Sequence, residues 1–243
     1  MKNEITILRK ISHPNILKLY CVYDDKKGIN LVTEYLSGGS LQDYIKHKGV
    51  LTECESLILL EALLKIVDYL SNENIIHRDI KPENIMLRRR QITLENIVLI
   101  DFGLATYFFN CPKELRKCGS PGFIPPEILN SKAEEINLTY KSDVFSIGIT
   151  WYYSLSGHMP YRNKSKEELL YKNKHSLFEF ETSNKFRKFE NALKQLIEKD
   201  PKKRLDARSA LNTDFLINIQ SIDEDIDEVD GGRLFENISN FSK

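Results

Sequence analysis

Residues 57 to 100 place the tightest constraint on how this chain folds. Leu57 to Leu70 is apolar on nearly every face, so the helix it forms belongs inside a larger structure rather than on its surface. Directly after it, His77-Arg78-Asp79-Ile80-Lys81-Pro82-Glu83-Asn84 gathers a carboxylate, a cation and an amide into one short loop. A second segment, Val144 to Leu155, contains the only Trp (Trp151) and is again apolar all round, which predicts a central buried helix. The chain has 243 residues, enough for one large domain or two small ones on a prior of about 100 to 200 residues per domain. With 41% hydrophobic and 29% charged residues, disordered, collagen-like and disulfide-scaffold classes are excluded. Lys plus Arg (35) equals Asp plus Glu (35), so nothing in the overall charge argues for a nucleic-acid partner, and none is expected.

Around these segments the local signals are short. Glu4 to Ile11 has apolar residues at helical spacing and stops at Ser12-His13-Pro14. Leu17 to Tyr23 and Ile29 to Tyr35 flank the polar turn Asp24 to Gly28 and predict a hairpin, which Gly38-Gly39 ends. Thr52 with Glu55 and Ser165 with Glu168 have capping-box spacing. Short strands are expected at Ile85 to Leu87 and Ile97 to Ile100, and helices at Phe189 to Lys199 and Ala207 to Leu211. No stretch approaches about 18 uncharged apolar residues, so no membrane association is expected. Cys21, Cys54, Cys111 and Cys118 are widely spaced and predict free thiols in a cytoplasmic or nuclear protein. Residues 221 to 230 (SIDEDIDEVD) hold six acids and no base: a solvated tail, or a docking segment for a partner or a self-inhibitory segment.

Seventeen positions after Asn84 comes Asp101-Phe102-Gly103, directly after an apolar strand, and the pair of motifs in this order resembles the eukaryotic protein kinase family. Other segments agree. Cys118-Gly119-Ser120-Pro121-Gly122-Phe123-Ile124-Pro125-Pro126-Glu127 is similar to the family's peptide-binding segment, Lys141 to Gly148 to the start of its central helix, and Asp200-Pro201-Lys202-Lys203-Arg204 to its late Arg motif. The resemblance runs from Glu4 to about Leu211. It implies an α+β, protein kinase-like fold with a mainly helical large lobe and an incomplete small lobe. The expected division is 1–36 for the small-lobe remnant, 37–215 for the large lobe and 216–243 for the acidic tail.

The same resemblance implies roles. Asp79 would orient and accept the proton of a substrate hydroxyl, Lys81 would steady the transferring phosphate, and Asn84 and Asp101 would hold Mg²⁺. Thr33 would sit at the back of the adenine pocket of ATP, with backbone groups of Glu34 and Leu36 bonding the base and Met86 as its floor. Lys81 and Ser120 mark the Ser/Thr type, so the partner is a protein substrate with a Ser or Thr acceptor. Glu127 would pair with Arg204, and Asp143 would brace the catalytic-loop backbone. His77 and Phe102 are packing residues in this reading.

Departures from the family pattern are as informative. A complete member begins with three strands carrying a Gly-rich loop and a Lys that pairs the ATP phosphates, whereas this sequence opens at the helix after them. Glu4 matches the helix glutamate that pairs that Lys, and a catalytically weak, pseudokinase-like binding module is the alternative to an active Ser/Thr kinase. No hydroxyl occupies residues 114–117, where many members carry a phosphorylated Thr that pairs with the Arg of the catalytic loop. Arg78 is therefore expected to meet an acid such as Glu114, with Thr106 and Ser120 as remaining hydroxyl candidates. Phe145 replaces a common Trp without a functional reading, and the long spacer between Asn84 and Asp101 predicts an extended strand connection.

Overall fold

The structure is a computed structural model that describes residues 2–26, 28–113, 116–161, 165–175, 178–180, 184–213 and 216. The acidic segment and Glu114 lie outside the described residues. Helix α1 (Lys2–Lys10) buries Ile7 and Leu8, and the chain then runs into the antiparallel hairpin β1 (Leu19–Asp25) and β2 (Gly28–Thr33). Register runs from Asp25↔Gly28 to Leu19↔Thr33 with an irregularity at Tyr20, so both strands extend further into the polar turn than the sequence suggested. Between α1 and β1 the chain docks on the large helical body: Leu17 N–H donates to Leu99 O (3.0 Å), and Leu99 N–H to Asn15 O (2.8 Å).

The body begins at β3 (Gly39–Ser40) and helix α2 (Leu41–Lys48), an element the sequence reading missed. Its signal was present. Ser40 caps it by accepting the Asp43 N–H at 3.0 Å. Gly38 is required just before, because a Cβ there would lie 2.6 Å from the backbone of Arg89. Helix α3 (Glu53–Asn72) opens on the expected capping box, with Thr52 Oγ1 accepting from Glu55 N–H and Glu55 Oε2 from Thr52 N–H. β4 (Ile75–Ile76), β5 (Ile85–Leu87), β6 (Ile97–Leu99) and β7 (Thr106–Tyr107) follow as short ladders, β3-β5-β6 in one sheet and β4-β7 in another.

The long connection expected between β5 and β6 is present as a loop: residues 88–96 are closed by Arg88 N–H to Asn96 O (2.9 Å) and by turns at 89–91 and 93–96. Asn15 Nδ2 donates to Ile97 O at its end (2.8 Å), which ties the loop to the α1–β1 segment.

Helix α4 (Pro126–Asn130) leads to α5 (Lys141–Ser156), which is buried at every position from Ser142 to Tyr152. A helix covered all round needs close neighbours. Gly148 provides one approach, since a Cβ there would lie 2.5 Å from Ile197 Cγ2. Helices α6 (Lys166–His175), α7 (Asn184–Leu196) and α8 (Ala207–Leu211) complete the shell; Ser165 Oγ accepts the Glu168 N–H at 3.1 Å. One core runs from Ile7 and Leu8 through α3 and α5 to Leu216, with a smaller cluster at Phe145, Ile149, Tyr161 and Ile197. Among the described residues, no helix is long and apolar enough to cross a membrane.

Candidate active site

The loop from β4 to β5 is held from below by α5. Asp143, 1% exposed in the first turn of that helix, accepts the N–H groups of His77 (2.7 Å) and Arg78 (2.8 Å). Those two bonds fix a backbone that would not choose this shape, because Arg78 has φ 68°, in the left-handed region that non-glycine residues seldom occupy. His77 is fully buried, and burial pushes its imidazole below the ordinary value against the attraction of Asp143. It is therefore neutral: Nε2 faces Ile100 O at 3.1 Å and must carry the proton, leaving Nδ1 to accept the Asp79 N–H at 3.3 Å. Phe102 packs edge-on against the ring at 4.8 Å.

This frame presents Asp79 with three donors. Its Oδ1 accepts from Ser120 Oγ (2.7 Å), and its Oδ2 from Lys81 Nζ (2.9 Å) and Asn84 Nδ2 (2.9 Å). Lys81 also donates to Ser120 Oγ at 2.6 Å, so carboxylate, ammonium and hydroxyl form a closed triangle. Burial alone would raise the Asp79 carboxyl; the bonds from Ser120 and Lys81 and the Lys81 charge outweigh it and hold the group below the usual range. Asp79 is thus an ionised acceptor, buried enough for its charge to count.

Asp101 follows β6 with φ 60°, a second left-handed non-glycine, and its Oδ1 accepts the Gly103 N–H at 3.1 Å. Glu4 on α1 lies within electrostatic reach: its carboxyl is raised by burial first and by the Asp101 charge second. Asn3 Nδ2 donates to Ala105 O at 2.6 Å, so the N-terminal end of α1 meets the segment after Asp101.

Thr33 ends β2, Glu34 and Leu36 lie on the connection from β2 to β3, and Met86 sits in β5 opposite Ser40 and Val98; all four are half-buried. Arg88 anchors this connection, which sequence reasoning missed. Its guanidinium bonds Glu34 Oε2 at 2.8 Å and Oε1 at 3.2 Å and Pro14 O at 2.8 Å, while its carbonyl accepts from Ser37 Oγ at 2.8 Å. The guanidinium also donates to Glu95 O in its own loop, and only its place in a polar run marked it in the sequence, because Pro14, Glu34 and Ser37 come from distant segments.

Scaffold residues surround the site. Arg204 meets Glu127 in a two-point ion pair (2.8 and 2.9 Å), donates to Glu198 O and Lys141 O, and lies 5.0 Å from the centre of the Phe145 ring. That ring contact gives Phe145 a structural reading. Arg78 donates to Leu104 O (2.6 Å) and Cys111 Sγ (3.5 Å), while Arg116 donates to Ile136 O (2.8 Å) and Cys111 O (3.4 Å). Thr106 is buried in β7.

With the geometry in place, comparison with known proteins is specific. A family model described as the protein kinase domain matches residues 1–216. Death-associated protein kinase 2 of Mus musculus is 35% identical over 217 residues, covering 87% of this chain and 57% of the relative. The Homo sapiens protein of the same name is 34% identical with the same coverage. The chain therefore spans somewhat over half the length of these curated relatives. By the family match and these identities, the chain belongs to the eukaryotic protein kinase family, of Ser/Thr type.

Proposed function

We propose that the chain transfers the γ-phosphate of ATP to a Ser or Thr hydroxyl of a protein substrate. One observation carries this reading: Asp79 is an ionised carboxylate already bonded to a seryl hydroxyl, that of Ser120, with Lys81 on the same hydroxyl. A substrate hydroxyl arriving there meets an acceptor for its proton and a cation beside its oxygen. The freed oxygen attacks the γ-phosphorus, the bond to the β-phosphate oxygen breaks, ADP leaves, and Lys81 balances charge on the transferring group.

Asn84 bonds Asp79 through its amide nitrogen, which turns its amide oxygen elsewhere, and one oxygen of Asp101 is not engaged by Gly103. These are hard oxygen donors of the kind that suit Mg²⁺ shared with phosphates, so Asn84 and Asp101 would hold the ion. Bound there, Mg²⁺ would neutralise phosphate charge. Thr33, Leu36 and Met86, with the backbone of Glu34, are the adenine-side residues in this reading. The free, exposed thiol of Cys21 supports a reducing cytoplasmic or nuclear setting.

The test is label transfer from γ-labelled ATP to a protein substrate, with nucleotide binding followed in parallel. Asp79→Asn should abolish transfer while leaving nucleotide affinity within about twofold. A parent chain that binds nucleotide without transferring phosphate would replace this reading with that of a binding module, and turnover unaffected by Asp79→Asn would remove Asp79 from the mechanism.

A further inference from the structure

Asp79 and Lys81 belong to one short loop, but Ser120, which bonds them at 2.7 and 2.6 Å, comes from another segment. Residues 116–125 form neither helix nor strand, so no backbone ladder fixes that hydroxyl in place. After Ser120 the hold comes from α5, where Ser146 Oγ donates to Phe123 O at 2.9 Å. Just before it the chain presses on the catalytic loop at Gly119, which has φ 123° and where a Cβ would lie 3.0 Å from Arg78 O. That contact limits how closely the segment can approach; it does not keep the segment there.

The attachment before Gly119 is made by two cations. Arg116 Nη1 donates to Ile136 O at 2.8 Å and its Nε to Cys111 O at 3.4 Å, which ties the segment both to the chain leading into α5 and back to its own start. Lys117 Nζ donates to Leu129 O and Ser131 O, each at 3.2 Å, at the end of α4, where a helix leaves its last carbonyls without intrahelical partners. Arg116 is half-buried and Lys117 exposed, so Arg116 makes the stronger tie. Arg116 also lines, with Arg78, Cys118 and Asp143, a cavity of only about 20 Å³, so the anchor packs directly against the brace of the catalytic loop.

We propose that Arg116, assisted by Lys117, is a positioning residue for the acceptor side of the reaction: it fixes the segment on the α4–α5 connection so that Ser120 stays on Asp79 and Lys81. The inference rests on the phosphoryl-transfer reading above and adds the residues outside the reacting loop that hold its acceptor side. The nucleotide side is left alone, because none of the carbonyls that Arg116 and Lys117 hold belongs to Asn84, Asp101 or the connection from β2 to β3.

The test uses the full 243-residue chain and the variant Arg116→Gln, with three readouts. Label transfer from γ-labelled ATP to a degenerate Ser/Thr peptide library should fall at least about tenfold in kcat/KM, while nucleotide affinity stays within about twofold. Cys118, two positions from Arg116 and half-buried, should react with N-ethylmaleimide at least about fivefold faster, read by mass spectrometry, while exposed Cys21 keeps its rate. Removing a nearby cation would by itself slow a thiol, since the thiolate is the nucleophile, so acceleration reports loosening of the segment. Arg116→Lys and Lys117→Met should each give smaller changes of the same sign. In a Ser120→Ala background, Arg116→Gln should cost less than about threefold, because the group it positions is gone. An unchanged Cys118 rate, a parallel loss of nucleotide affinity, or a loss as large with Ser120→Ala as without it overturns the proposal. If the parent chain transfers no label, the transfer reading falls, and the Cys118 rates alone decide whether Arg116 anchors the segment.

Discussion

Replacing Glu127 with Ala would strand a guanidinium inside the protein. Arg204 is 1% exposed, and both oxygens of Glu127 sit on its two terminal nitrogens at 2.8 and 2.9 Å. Its remaining partners are the carbonyls of Glu198 and Lys141 and the face of Phe145, which carry partial charges only. Without the carboxylate a buried unit charge is left uncompensated, and breaking such a pair from one side costs about 3 to 5 kcal/mol. In a chain of this size each kcal/mol moves the thermal midpoint by about 2 to 4 °C, so the expected fall is about 6 to 20 °C. The assay is thermal and urea unfolding followed by circular dichroism, with the urea slope checked to be unchanged.

Two controls separate charge from packing. Glu127→Gln keeps the volume and one hydrogen bond, so its loss should fall between parent and Ala. The double variant Glu127→Leu/Arg204→Met removes both charges and should recover most of the loss, because replacing a buried pair is often neutral while orphaning one member is not. A Glu127→Ala loss below about 1 kcal/mol, or a double variant no more stable than the single, would refute the reasoning and mean that Arg204 finds water. Activity should fall with stability, since α4 directly follows the segment that carries Ser120.

Three further perturbations fall on the catalytic loop, the core and the connection from β2 to β3. His77 is held below its ordinary value by burial, so the unfolded chain binds a proton that the folded one refuses. Stability should therefore decline as pH falls below about 6.5, by at most about 1.4 kcal/mol per unit from this group, until its lowered folded value is passed. Urea midpoints between pH 7.5 and 5.5 measure it, and His77→Phe, which cannot titrate, should flatten that part of the profile. Gly148→Ala should destabilise by about 1 to 2 kcal/mol despite a better helix propensity, because the added Cβ falls 2.5 Å from Ile197 Cγ2 and 3.0 Å from Leu196 Cβ; an unchanged or raised midpoint would show that α7 gives way. Arg88→Ala removes the two-point bond to Glu34 and should weaken ATP binding several-fold while changing kcat less; a kcat loss at constant KM would show that Arg88 acts on chemistry instead.

How much of this was legible in the sequence depends on how far apart the interacting residues lie along the chain. The Thr52 capping box spans three residues and is present as read. The helix at Ser40 is less legible although Ser40 and Asp43 are as close, because it is only eight residues long and directly follows the Gly38-Gly39 break. Arg88 could not be read as an anchor, for although Glu95 O lies seven positions on, the partners that tie it to the rest of the fold, Pro14 and Glu34, are more than fifty positions away. The loop at 88–96 was legible as a polar connection between two strands, but not its closure, since such a stretch says nothing of the Arg88 N–H bond to Asn96 O.

The site divides along the same line. Asp79, Lys81 and Asn84 fall within six residues of each other, so their chemistry is visible as a motif. The geometry that makes them a site is not local. Arg78 and Asp101 sit in left-handed backbone that their residue types disfavour, and a local reading would have given each an ordinary extended or turn conformation. For Arg78, the compensation comes from Asp143, 65 positions on, whose carboxylate is worth burying only because it gathers two N–H groups there. Ser120 reaches Asp79 from 41 positions away in the same manner. The sequence can therefore name the reacting groups, while the strain that aims them depends on a helix whose own sequence shows little more than its apolarity.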